Sequence, residues 1–173
     1  MVDLLCIDID GTLLDSRKEL PRENVEAVRY ALDKGVIVAI ASGRSVSGIE
    51  PLLLQLGIGR DGVCLNGGLV LCGEVIYRDT MEEGLVMKII EQAERYESQI
   101  FLSAAEFNIT NGALSGHLRE LVDKGSLRSD YRYCRDYDEM RAEARRHKDE
   151  IIKVAVKEID EADFEGLKKA LVD

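Results

Sequence analysis

The sequence predicts an α/β fold: a parallel sheet in the first half, followed by a separate α+β module. Three observations point there. Short, nearly continuous apolar runs at 4–9 (LLCIDI), 36–41 (VIVAIA) and 62–65 (GVCL) have the character of strands buried on both faces. Segments with helical spacing stand between them, and strand, helix, strand, helix, strand makes a parallel unit. From about residue 80 the alternation gives way to helices and strands in another order. That places a domain boundary between 1–79 and 80–173.

After the first run, Pro21 opens a helix in which Val25, Val28 and Leu32 mark one face, and Gly35 stands where it should end. A second helix at about 46–56 turns Ile49, Leu53 and Leu56 inward, with Pro51 in or near its first turns. LVLC and EVIYR flank Gly73 as a β-hairpin. In the second module, 82–96 reads as an amphipathic helix on Leu85, Ile89, Ala93 and Tyr96. Strand-like IFLS and FNIT follow, then a helix near 114–124 and a charged helix at 138–150. A strand, IIKVAVK at 151–157, and a last helix at 161–172 close the chain. The mixed signs of DEMRAEARRHKDE describe a solvated face.

Composition narrows the function. The 173 residues are 46% hydrophobic, and no apolar stretch approaches a membrane span. MVDLLCIDID has no basic region and carries acids within its apolar run, unlike a signal peptide, so a cytoplasmic location is expected. A net charge of −10 repels phosphate backbones and excludes nucleic acid as a natural partner. Cys6, Cys64, Cys72 and Cys134 are scattered without a CxxC pair and read as free thiols, mostly buried. Residues 57–62, GIGRDG, spell a literal G-x-G-x-x-G. A dinucleotide fingerprint must follow a strand and open a helix; here the order is reversed, and the glycines end a helix instead.

DIDGTLLD at 8–15 carries the chemistry. Residues i and i+2 of a strand point to one face, so Asp8 and Asp10 project near the carboxyl edge of the sheet, where open α/β folds bind ligands. Gly11 permits a sharp turn and Thr12 offers a hydroxyl. Two close carboxylates repel unless a cation lies between them, and hard oxygen donors at an open site suit Mg²⁺. With phosphoryl charge neutralised, Asp8 can attack phosphorus, while a protonated Asp10 serves the leaving oxygen and later the hydrolytic water. The second strand ends ASGRS: the Ser42 hydroxyl and Gly43 N–H can donate to phosphoryl oxygens near a helix N-terminus. Arg44 can aid the same anion or pair with an acid. Asn66, in LNGG, either turns the chain before Gly67 or faces substrate.

DIDGTLLDS, ASGR and NGG, in order at three strand ends, resemble the haloacid dehalogenase (HAD) superfamily, and within it the Cof-type sugar-phosphate phosphatases with a cap after the third strand. The resemblance implies a partial Rossmann-like core with an α+β cap from about residue 80. It also implies a Mg²⁺-dependent phosphatase forming an aspartyl-phosphate, and a small phosphorylated metabolite as substrate. Asp8 would be nucleophile and Asp10 general acid/base. The Asp8 side chain and Asp10 carbonyl would ligate metal, and Ser42 would bind phosphate.

The match covers the first part of the family pattern. The phosphate-binding lysine and GD-x-x-ND segment that those proteins carry after the cap have no counterpart here, and Lys153 and Lys157 fall in cap elements. The first strand would then be a sheet edge, inviting a second copy or a complementing chain. An alternative function follows: a catalytically impaired HAD-like protein that binds metal and phosphate or serves in an assembly. A receiver-like phosphoacceptor would explain Asp8 but not the second module.

Overall fold

A computed structural model describes residues 2–114, Gly116, Arg119, 130–157 and 161–172. The residues up to Asp79 form one compact unit, and described residues from Thr80 onward form another.

In the first unit a five-stranded sheet runs in the order β1-β2-β3-β4-β5. Its strands are β1 (Leu4–Asp8), β2 (Ile37–Ala41), β3 (Asp61–Cys64), β4 (Leu69–Cys72) and β5 (Glu74–Arg78), with α1 (Arg22–Asp33) and α2 (Val46–Leu56) between the first three. β1, β2 and β3 pair in parallel, whereas β4 and β5 return as an antiparallel hairpin. Gly62 allows the close approach of β2 and β3, because a Cβ there would stand 2.7 Å from the Ile40 carbonyl oxygen. The core gathers Val28 from α1, Val38 and Ile40 from β2, and Ile49, Leu53 and Leu56 from α2. Gly57 caps α2 in a left-handed conformation before β3 begins at Asp61, so GIGRDG links helix to strand.

The strand β1 departs from the expectation of burial on both faces. Leu4 is 55% exposed, and Leu5 and Cys6 are exposed too. The cause is topological: among the described residues β1 pairs only with β2, so apolar content that suits an interior strand lies at an edge. β2 is buried at Val38, Ala39 and Ile40, but Ile37, opposite Leu4, is exposed. The thiols also divide differently than expected. Cys64 and Cys134 are buried, while Cys6 on the edge strand and Cys72 at the hairpin are exposed.

The second unit pairs β8-β7-β6-β9 into a four-stranded sheet, from β6 (Gln99–Ser103), β7 (Phe107–Thr110), β8 (Asp130–Tyr133) and β9 (Lys153–Lys157). Among the described residues its helices with defined bounds are α3 (Glu83–Arg95), α4 (Tyr137–Arg146) and α5 (Glu161–Val172). Val86, Ile89, Ile90 and Ala93 of α3 pack in one cluster with Ile100, Leu102, Ile109 and Met140. The buried stripe of α3 is therefore turned from the expected one, since Leu85 is 40% exposed. α4 is polar outward, as its charge pattern implied, and its start is capped by Asp136, which accepts a bond from the Glu139 N–H. The helix expected near 114–124 lies largely outside the described residues.

Candidate active site

The polar residues of the first unit converge because three parallel strands end at one level. Register sets Asp8 beside Ala41, and Ala41 beside Val63. Ser42 follows β2 directly, with its N–H donating to the Val63 carbonyl at 2.8 Å. The Asn66 N–H donates to the Ser42 carbonyl at 3.3 Å and the Leu65 N–H to the Arg44 carbonyl at 3.0 Å, tying the loops after β2 and β3 together. Asn66 takes a left-handed conformation at φ 59° before Gly67, with its side chain exposed.

After β1, Ile9 is fully buried between the two exposed acids and anchors them. Asp10 bridges to Leu14, and the N–H groups of Leu13 and Leu14 fold back on the Ile9 carbonyl at 3.1 and 2.9 Å. Gly11 carries this reversal at φ 89°, a region that disfavours side chains.

The two acids live in different surroundings. Among the described residues the Asp8 carboxylate meets only the Thr12 hydroxyl, at 3.5 Å. Asp10 is engaged at both oxygens: Oδ1 accepts from Arg44 Nη2 at 2.8 Å and Lys18 Nζ at 3.0 Å, and Oδ2 from Arg44 Nε at 3.1 Å. Partial burial pushes the Asp10 carboxyl upward, but hydrogen bonds and charge from Arg44 and Lys18 prevail and hold it below its ordinary value. The proton expected on Asp10 is disfavoured by these donors, which favour the carboxylate form. Arg44, left open between two tasks, pairs with the acid.

Ser42 Oγ accepts from the Arg44 N–H at 3.1 Å, so its own proton remains available to an anion. Gly43 is exposed beside it. Lys18 was not legible as a site residue. The signal lay in Asp15 and the polar SRKE that follows it, an Asx-turn pattern able to fold the lysine back.

The family pattern raises the question of Mg²⁺, and the donors present fit it. Asp8 offers an exposed carboxylate without a cationic partner, and the Asp10 carbonyl offers a second hard oxygen. The Asp10 carboxylate, already engaged, is not counted. Among the described residues no three His, Cys, Asp or Glu side chains gather to hold an ion by themselves. Water and substrate phosphate would therefore complete the octahedron that Mg²⁺ demands.

A profile described as haloacid dehalogenase-like hydrolase matches residues 5–173. The chain belongs to this family. YkrA of Bacillus subtilis (strain 168) is 31% identical over 129 residues, covering 74% of this chain and 49% of its own length. Phosphatase YwpJ of the same organism is 29% identical over 124 residues, covering 69% and 41%. A haloacid dehalogenase-like hydrolase from Bacteroides thetaiotaomicron superposes with a TM-score of 0.75 at 22% identity, over 99% of this chain and 63% of its own. The HAD subclass IIB sugar phosphatase BT4131 does so with a TM-score of 0.76 at 19% identity, over 99% and 64%. These structures establish the fold. The chain spans about half the length, or less, of these two sequence relatives.

Proposed function

We propose that this HAD-family chain is a Mg²⁺-dependent phosphatase of small phosphorylated metabolites, sugar phosphates foremost, acting in the cytoplasm through an aspartyl-phosphate on Asp8. The observation that carries the reading is the unequal treatment of two neighbouring acids: one held by three N–H bonds, the other left to a single weak hydroxyl contact. A carboxylate left open to substrate can act as nucleophile, and one held in place beside it can take up and return a proton.

Mg²⁺, when bound, offsets the charge of the phosphoryl oxygens so that a carboxylate can approach. Asp8 attacks phosphorus and the bond to the leaving oxygen breaks. The Ser42 hydroxyl, the Gly43 N–H and the start of α2 receive the phosphoryl oxygens, with Gly11, Thr12 and Asn66 bordering the same edge. Water then attacks the phosphorus of the Asp8 acyl phosphate, Asp10 takes its proton, and the bond from phosphorus to the Asp8 oxygen breaks, releasing phosphate and the free Asp8 carboxylate. An Asp10 held as carboxylate is ready for that second half. A poor leaving group needs a proton from Asp10 in the first half, which a carboxylate cannot give, so leaving groups stable as anions are the natural first probes. The second unit is read as the cap whose loops select substrate; it contains a cleft of about 300 Å³ lined in part by Asn111, Arg119, Tyr133 and Cys134.

The test is hydrolysis of p-nitrophenyl phosphate with and without Mg²⁺, set against Asp8→Asn. Mg²⁺-dependent turnover and a hydroxylamine-sensitive phosphoenzyme, both lost in the variant, are expected. Equal inertness of the two proteins would end the reading. The exposed apolar edge at Leu4 and Leu5 favours a second reading, an assembly module. It predicts self-association or capture of a complementing chain across β1. Light scattering that shows a constant monomer mass up to millimolar concentration would remove self-association.

A further inference from the structure

We propose that Lys18 is a positioning residue of the phosphoryl-transfer site, fixing with Arg44 the orientation of the Asp10 carboxylate; this rests on the phosphatase reading above. Asp10 lies beyond the last paired residue of β1 and is exposed. Its side chain therefore owes its direction to the three donors that meet it. Lys18 supplies one of the two bonds to Oδ1. Without it the carboxylate keeps only the guanidinium and gains freedom to swing.

A solvent-facing Lys–Asp pair ordinarily has little effect, because two long side chains must be immobilised to make it. Here the loop is organised in advance. Asp15 Oδ1 accepts from the N–H groups of both Arg17 and Glu19, each at 2.9 Å. The Asp15 N–H donates to the Glu19 carbonyl at 2.9 Å, and the Lys18 N–H to the Asp15 carbonyl at 3.0 Å. This closed turn holds Lys18 at φ 62°, a left-handed conformation uncommon for a residue with a side chain. The bonds of the turn set this conformation, so the position of Lys18 is fixed before its side chain meets Asp10. The turn also separates neighbouring cations. The Arg17 side chain is 76% exposed and pairs within the loop, whereas that of Lys18 is 30% exposed and reaches back to Asp10.

Misplacing a proton-transfer group slows the chemical step and leaves binding largely intact. With p-nitrophenyl phosphate and Mg²⁺, Lys18→Met should lower kcat about tenfold and hold KM within about twofold. Lys18→Arg, keeping a cation with similar reach, should recover most of the loss. By NMR, the Lys18 ammonium protons should exchange slowly in the wild-type chain and fast in Asp10→Asn. An unchanged kcat in Lys18→Met overturns the proposal. So does a rise in KM alone, which would mean direct contact with the anion, and so does a Lys18 ammonium exchanging as fast as that of exposed Lys168. The Asp8→Asn control keeps the two ideas apart. If Asp8-dependent turnover is present and Lys18→Met matches wild type, only the positioning role falls. If the wild-type chain shows no Asp8-dependent turnover, the phosphatase reading falls and takes the role of Lys18 with it.

Discussion

The strands β1 and β6 carry similar apolar content, LLCID and QIFLS, yet four of the five residues of β1 are exposed and four of the five of β6 are buried. Composition does not separate them; neighbours do. β6 pairs on both sides, with β7 and β9, and its side chains enter a cluster with α3 and α4. Among the described residues β1 has β2 alone. The strand that presents the candidate nucleophile is thus among the least buried in the molecule, and the well-packed β6 carries none of the proposed catalytic residues. Binding and catalytic groups need access to solvent and substrate, while packing supplies the rigidity behind them.

The sharpest way to break this contrast is to remove the same kind of apolar volume from each strand. Ile100→Ala, at a fully buried position of β6, should cost about 2–5 kcal/mol through lost burial and the cavity left behind. Leu4→Ala on β1 should cost about 0.5 kcal/mol or less, as exposed substitutions do. Urea unfolding of both variants measures the pair. Equal losses would show that the β1 side chains are covered in solution.

A smaller effect should distinguish the second unit at alkaline pH. Burial raises the Cys134 thiol from 9.0 to about 11, helped by Glu139, Glu143 and Asp136. Burial also raises the Tyr137 hydroxyl, which donates to the Ser98 carbonyl at 2.7 Å. In both cases the folded state keeps a proton that the unfolded chain releases first. The contribution of Cys134 to stability is therefore complete below about pH 9 and declines as pH rises toward 11, and that of Tyr137 is complete below about pH 10 and declines above it. Tyr137→Phe and Cys134→Ala should each flatten that decline in melts recorded from pH 8 to 11. The same buried thiol should resist a soluble disulfide reagent at pH 8, while exposed Cys6 and Cys72 react promptly. Rapid modification of Cys134 in the folded protein would contradict its burial.

Much of the architecture was legible from local pattern. Alternating apolar runs and helical spacing located β1, α1, β2, α2 and β3 in parallel order, and Gly73 located the hairpin of β4 and β5. The reversed order of helix and strand around GIGRDG removed a false dinucleotide motif. The placement of Asp8, Asp10, Ser42 and Arg44 at one sheet edge was legible because strand periodicity and topology bring successive strand ends together. The buried stripe of α3 was displaced because both Leu85 and Val86 are apolar, and helical spacing alone does not choose between adjacent residues.

The sequence by itself determined which segments become strands and helices, where the parallel strands end, and which acids stand at those ends. Those properties follow from side-chain periodicity and turn chemistry, which act over a few residues. Only the tertiary structure decided that β1 is exposed, that Arg44 reaches Asp10 across 34 positions, and that the turn at 15–19 directs Lys18 to the same carboxylate. Burial depends on how many neighbours a strand has, and an ion pair depends on side-chain geometry within a few ångströms. Neither is encoded in a pattern that repeats along the chain.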